Sequence, residues 1–334
     1  MRFIKIFSVL LLLSVLSHAQ SPAYILLHSG KRISLRGLSV VTDNIVWVSG
    51  SSGSVGRSTN GGSSWTWITV PGYEKRDFRD IEAFDSSTAI IVAVAEPAVI
   101  LKTTDGGLNW KKVYEDTAKG IFLDAMDFKD SRNGVAIGDP IDGRQAYLAT
   151  TTDGGNSWKK TDPSRSYGPL ADGEAFFASS GTNIRFTKAG TYVVTGGKRS
   201  VLFTGTSQYD SLPIVQGLES TGANSIDVYD GKAVIVGGDF SKDTISSNNC
   251  VLVSLGKKPV FSIPETPPHG YRSCVIYLNS NQLVACGTSG IDLSDDGGRN
   301  WRLLSRDSFH VVKKAKQGNA VYLAGGNGRI GRLK

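Results

Sequence analysis

The octapeptide TTDGGNSW at 151–158 decides the fold, because the chain repeats it. STNGGSSW ends at Trp65, TTDGGLNW at Trp110 and SDDGGRNW at Trp301. Trp65 and Trp110 are 45 residues apart, Trp110 and Trp158 are 48 apart, and Trp158 to Trp301 is 143, close to three such periods. The sequence is rich in Gly, Ser, Thr and Val, which favours strands joined by tight turns.

A strand-rich unit recurring at this period indicates propeller blades. Two eroded copies fill the long gap: SVLFTGTSQYDSLPI (200–214) and CVLVSLGKKPVFSIP (250–264) keep the apolar flanks without the Asp-Gly-Gly-Trp signature. Each unit carries one very apolar second strand. Counting NIVWVSG, AIIVAVA, NGVAIGD, TYVVTGG, KAVIVGG, QLVACGT and AVYLAGG gives seven blades. The seventh ends at GRIGRLK, one strand short, while AYILLHSGKRI near the N-terminus is a strand without a blade. Pairing the two would close the ring and cover an open sheet edge. The expected fold is therefore all-β, a seven-bladed β-propeller over 20–334, completed by its N-terminal strand.

Residues 1–19 read as a secretory signal peptide: Arg2 and Lys5 precede the apolar run SVLLLLSVL, and Ser17-His18-Ala19 ends in a small residue. The run is short for a bilayer span, and residue 20 is Gln, not a lipid-accepting Cys. The expectation is an exported protein, periplasmic or secreted, with no stable membrane insertion. Losing Arg2 and Lys5 lowers the net charge from +7 to +5. That mild balance, without a Lys/Arg run or basic helix, gives no support for nucleic acid as a partner. Cys250, Cys274 and Cys286 are too few for a disulfide scaffold. In the hairpin RSCVIYL–NSN–QLVAC, Cys274 and Cys286 should face each other. An oxidising compartment permits a bond there, whereas adjacent-strand geometry favours two buried thiols.

The octapeptide has a sufficient structural explanation. Asn60, Asp105, Asp153 and Asp296 would cap tight turns, the glycines supply positive φ, and the leading Ser or Thr adds a hydroxyl bond. Trp65, Trp110, Trp158 and Trp301 would each pack a ring against their blade, burying about 150–250 Å². Four such turns on separate blades, three of them with carboxylates, are too dispersed to converge on a metal or substrate. With S/T-x-D-G-G-x-x-W in view, the chain resembles the Asp-box, or BNR-repeat, propellers. It is similar to exported members such as the photosystem II assembly/stability factor type. That resemblance spans the mature chain and implies the propeller fold. Its function is open, since sialidases, other glycosidases and sortilin-like receptors also carry these boxes away from their active centres. GEAFFASSGT, VIVGGDF, GYRSCV and GTSGIDLSDDGGRNW further resemble a bacterial exported subgroup loosely labelled oxidoreductase or glycosyl hydrolase.

Ligands of propellers usually sit on the face opposite such turns, near the axis. Aligning the innermost strands LRGLSVV, FRDIEAF, FLDAMDF, TNIRFTK, ANSIDVY, YRSCVIY and FHVVKKA gives a column of Arg36, Arg79, Leu123, Asn183, Asn224, Arg272 and His310. Blades six, seven, one and two would then present Arg272, His310, Arg36 and Arg79 as a basic arc. Asp80, Asp124 and Glu174 should lie opposite, with Asp139, Asp239 and Arg199 from neighbouring loops. Either these charges pair and bond loop carbonyls, or they bind an anion bidentately.

For a glycosidase the candidate acids are Glu174, Asp80 and Asp124, with Glu174 first because GEAFFASSGT is an apolar setting that favours a protonated carboxyl. A sialidase-type site needs three arginines, a Tyr–Glu pair and an Asp. Tyr271 or Tyr167 could stand nearby, yet the Arg-Ile-Pro motif departs at KRIS (31–34). GNGRIG (326–331) formally matches a dinucleotide fingerprint but lacks the required helix and distant acid. His28, His269 and His310 share no ligand spacing. No cofactor or metal is expected. The leading expectation is a monomeric binding or assembly scaffold for a protein client or an acidic glycan, through the axial face. The alternative is a glycoside hydrolase using the axial carboxylates.

Overall fold

The computed structural model describes residues 24–27, 29–141 and 144–334; the expected leader and His28 lie outside them. Seven antiparallel sheets follow one another along the chain. Blade one comprises Leu35–Val40, Val46–Gly50, Ser54–Ser58 and Thr66–Thr69, paired in that order from the axis outward. The later blades begin at Phe78–Ala83, Leu123–Phe128, Ile184–Phe186, Thr221–Tyr229, Cys274–Tyr277 and Val311–Lys314. The eroded copies form the two outer strands of blades four and five, Val201–Gly205 with Gln208–Ser211 and Cys250–Ser254 with Val260–Ser262. Second strands such as Ala89–Ala93 and Leu283–Gly287 are wholly buried, which explains their unbroken apolar runs.

Tyr24–Leu27 pairs antiparallel with Ile330–Leu333, from Tyr24 opposite Leu333 to Leu27 opposite Ile330, so blade seven holds both ends of the propeller. The Tyr24 ring stands edge-on to Phe309 at 5.7 Å, and its hydroxyl donates to Asp307. GNGRIG forms a single 3-10 turn, Gly326–Gly328, leading into that last strand. Among the described residues no helix is long and apolar enough to cross a membrane. Cys274 and Cys286 lie directly opposite in the ladder, as their spacing predicts, and both are buried free thiols.

The four octapeptides share one hydrogen-bond pattern. The leading hydroxyl donates to the acidic or Asn side chain two residues on, at 2.8–3.0 Å in Ser58–Asn60, Thr103–Asp105, Thr151–Asp153 and Ser294–Asp296. The same hydroxyl accepts the amide of the second glycine, and the side-chain oxygen accepts the amide four residues on. Gly155 shows why glycine is needed: φ is +75°, and a Cβ would stand 2.2 Å from Ile90 Cδ1 of the preceding blade. Each turn thus also keys one blade to its neighbour.

Asp153 receives the Ser157 hydroxyl and amide and the Asn156 amide, bonds that hold its pKa down to about 2. Asp153→Ala should lower stability by about 1 kcal/mol, the net scale of such exposed bonds. The wild-type advantage should disappear as pH falls from about 4 through 2, because the folded pKa lies below the unfolded one. Urea unfolding at pH 7 and pH 2 checks both. An unchanged midpoint at pH 7 would count against the capping role.

Candidate functional site

Blades one, two, three and five each carry a β-bulge at the start of the innermost strand, between Leu35 and Gly37, Phe78 and Asp80, Leu123 and Ala125, and Ala223 and Ser225. The extra residues are Arg36, Arg79, Asp124 and Asn224. A bulge leaves its extra residue out of the ladder and re-aims its side chain. Arg36, Arg79 and Asp124 thereby face one pocket on the side of the ring opposite the octapeptide turns. Its volume is about 510 Å³, and Phe176, Phe177, Phe240 and Tyr271 contribute an aromatic wall.

The positive side of the pocket is largely engaged. Arg36 donates to the Ser179 carbonyl at 3.2 Å, and burial together with Arg79 lowers its pKa. Arg79 pairs with Asp77 at 2.8 Å and lies 5.9 Å from the Phe122 ring centre. Burial, then the Arg36 charge, pushes His310 down to about 4, and its Nδ1 lies 2.9 Å from the Leu35 carbonyl oxygen. His310 is therefore neutral near pH 7. The acidic side is different. Asp124 is 2% exposed and its Oδ2 has no hydrogen-bond partner. Burial and the neighbouring Asp139 carboxylate raise its pKa well above the ordinary range. Asp139 accepts the Phe176 amide at 2.9 Å, and burial raises it to about 6.

The axis itself is filled by the chain. Ahead of blade four, Glu174–Ala175 pairs with Gly196–Gly197, which joins blade five's sheet, and the innermost strand of blade four begins only at Ile184. The intervening 176–183 enters the hub and is tied to five other blades. Ser179 Oγ donates to Asn224 at 2.9 Å, and Ser180 Oγ to the Ser273 carbonyl at 2.7 Å. Thr182 donates to Ser225 at 2.8 Å. At Gly181 φ is +65°, and a Cβ would lie 2.3 Å from the Asp80 carboxylate. Asp80 accepts the Ile81 and Met126 amides at 2.8 and 2.7 Å beneath this plug. Burial raises its pKa to about 7, with Lys313 opposing.

Several expected site residues are elsewhere. Arg272 is fully buried and absent from the basic arc. Its amide donates to the closing glycine of the preceding second strand, Gly237, as those of Leu35 and Phe309 donate to Gly325 and Gly287. Arg272 therefore shares the core column with Leu35 and Phe309, and Ser273 takes the place at the pocket. Leu123 is likewise a core residue, and Asp124 replaces it at the bulge. Arg272 instead pairs with buried Asp292 through Nε at 2.5 Å.

Glu174 is not in an open apolar setting. Thr195 Oγ1 donates to it at 2.6 Å, Arg199 Nε at 2.6 Å and the Ala171 amide at 2.8 Å. Glu174 and Arg199 are thus held by each other and by neighbouring groups, with Arg199 also donating to the Pro169 carbonyl and lying over Tyr209 at 5.0 Å. Asp239 caps the turn at Ser241 and borders a separate hollow with Leu218 and Ile245.

Phe177 and Phe240, within GEAFFASSGT and VIVGGDF, are pocket residues that the sequence does not single out. Their rings meet at 5.8 Å, and Phe240 meets Tyr271 at 6.2 Å. The available signal was Phe240 directly after the buried, glycine-rich end of Lys232–Asp239; Phe177 offered none.

No protein-family model matches the sequence, and a search of curated proteins finds no match. Solved structures match in fold. YCF48 bound to D1 peptide superposes with a TM-score of 0.64 and 15% identity over 94% of this chain and 97% of that one. YCF48 from Cyanidioschyzon merolae gives 0.67 and 15% over 93% and 99%. The Niastella koreensis GH74 enzyme gives 0.57 and 15% over 92% of this chain and 53% of that one. Identities this low establish a common seven-bladed architecture and nothing finer.

Proposed function

We propose that this chain is an exported, Asp-box-type propeller that works by binding a protein client at the aromatic pocket, without catalysis. The observation that carries the reading is the plug. Segment 176–183 closes the hub over Asp80 and leaves a pocket walled by rings and rimmed by fixed guanidiniums, the anatomy of a recognition surface. The glycosidase alternative relied on Glu174, Asp80 and Asp124, of which only Asp124 lines the pocket. Every Glu174 oxygen is engaged, and Asp80 is shut beneath Gly181, so neither is placed to reach a sugar. A structural neighbour carrying a peptide agrees with a protein client, and acidic glycan remains the competing ligand of the same face.

A photo-crosslinking amino acid at Thr288 beside the pocket, compared with one at Lys159 on the outer rim, tests this in the native host. Discrete protein adducts are expected at Thr288 alone and should be lost in Phe177→Ala/Phe240→Ala. Turnover of a glycoside panel, or glycan-array binding without a protein adduct, would overturn it.

A further inference from the structure

The pocket contains an uneven set of charges. Asp77, Asp124 and Asp139 lie around Arg36 and Arg79, while His310 is neutral near pH 7. Three carboxylates against two guanidiniums leave one positive charge missing. Arg79 is already directed to Asp77, and Arg36 to the Ser179 carbonyl, so neither completes the coordination of Asp124. The buried Asp124 Oδ2 without a donor is the atomic expression of that deficit. An unpaired buried carboxylate oxygen is costly and calls for a partner. In the free protein a proton can meet the deficit, which is what the raised pKa values of Asp124 and Asp139 express.

We propose that Asp124 and Asp139 form an acidic subsite that receives one lysine or arginine side chain of the bound protein. The proposal rests on the protein-binding reading above and specifies what the pocket selects. The aromatic rings suit such a guest: they accept the aliphatic stem, and their faces attract the cationic head. Arg36 and Arg79, on the adjoining two blades, would repel a second cation and favour an acidic residue beside the first. The recognised segment is thus a basic anchor flanked by an acid, in contrast to a uniformly acidic ligand.

Selection from a random twelve-residue peptide library on the intact purified protein provides the test, with Phe177→Ala/Phe240→Ala as a counter-selection for the pocket. Pocket-dependent binders should share a lysine or arginine whose replacement by norleucine weakens binding at least about 30-fold, the scale of breaking a buried charge pair. Asp124→Asn and Asp139→Asn should each weaken the same peptides, while peptides with norleucine at the anchor should not discriminate these variants from wild type. Circular dichroism and unfolding midpoints would confirm that the variants fold. Pocket-dependent binders lacking a basic residue and indifferent to Asp124→Asn would overturn the subsite while leaving the binding function intact. Absence of any pocket-dependent binder would overturn both.

Discussion

Arg272→Ala should cost the folded protein about 3–5 kcal/mol, the loss that follows when one partner of a fully buried ion pair is removed. Neither side chain of the Arg272–Asp292 pair is exposed. Arg272 Nη1 also donates to the Tyr271 carbonyl and to Ser289 Oγ, each at 2.8 Å, while Nη2 faces Asp292 without a hydrogen-bond partner of its own. Asp292 would retain only His269, whose Nδ1 lies 2.9 Å from Oδ1 and whose side chain is half exposed. The mutant therefore leaves a carboxylate in the core of blade six with most of its compensation gone. Arg272→Met/Asp292→Leu removes both charges and should recover most of the loss, because an apolar pair of similar volume carries no desolvation penalty. Urea unfolding of the two variants measures this. A single mutant within about 1 kcal/mol of wild type would show that the pair is not what holds the blade.

Between pH 5 and pH 8 the protein should lose roughly 3 kcal/mol of stability through Asp80 alone, taking about two units of its raised pKa at ~1.4 kcal/mol each. The direction follows from linkage. Burial raises the Asp80 pKa to about 7 in the fold, against an ordinary carboxyl value of 3.8. In that window the folded protein holds a proton that the unfolded chain has released, so rising pH favours unfolding. Asp139, raised to about 6, acts in the same direction. Asp80→Asn cannot ionise and should flatten the profile above pH 5, although its amide cannot accept both the Ile81 and Met126 amides as the carboxyl does. The variant is thus expected to be less stable than wild type at pH 5 and to close or reverse the gap at pH 8. Unfolding midpoints at the two pH values decide it; equal slopes for wild type and variant would remove Asp80 as the titrating group.

These two residues also mark the boundary of what could be read in advance. The alternation of its strand with the apolar Ile81 directs Asp80 to the hub, where it lies against Gly181. That it lies covered could not be read, because the cover is 176–183, an excursion that leaves blade four and meets blades one, two, three, five and six. Arg272 was placed at the pocket because YRSCVIY was aligned by its Arg with FRDIEAF. The ladder instead sets Arg272 beside Leu35 and Phe309, one position away. In a strand a shift of one residue exchanges the two faces, so a charged side chain moved from an expected binding arc into the core. Arg36, Arg79 and His310 line the pocket because each follows a buried core residue, Leu35, Phe78 and Phe309, whereas Tyr271, which precedes Arg272, itself lines the pocket.

Residue order alone dictates the number of blades, their sequence and the strand that closes the ring. Those features rest on local chemistry: hydroxyl and carboxylate bonds within eight residues, positive φ at paired glycines, and runs of apolar residues wide enough to be buried on both faces. The working surface was decided by the tertiary structure. Three of the four bulges choose which polar residue turns to the pocket, and one inserted segment chooses which acids water can reach. Both depend on contacts between residues tens to hundreds of positions apart, whose energies no local pattern encodes.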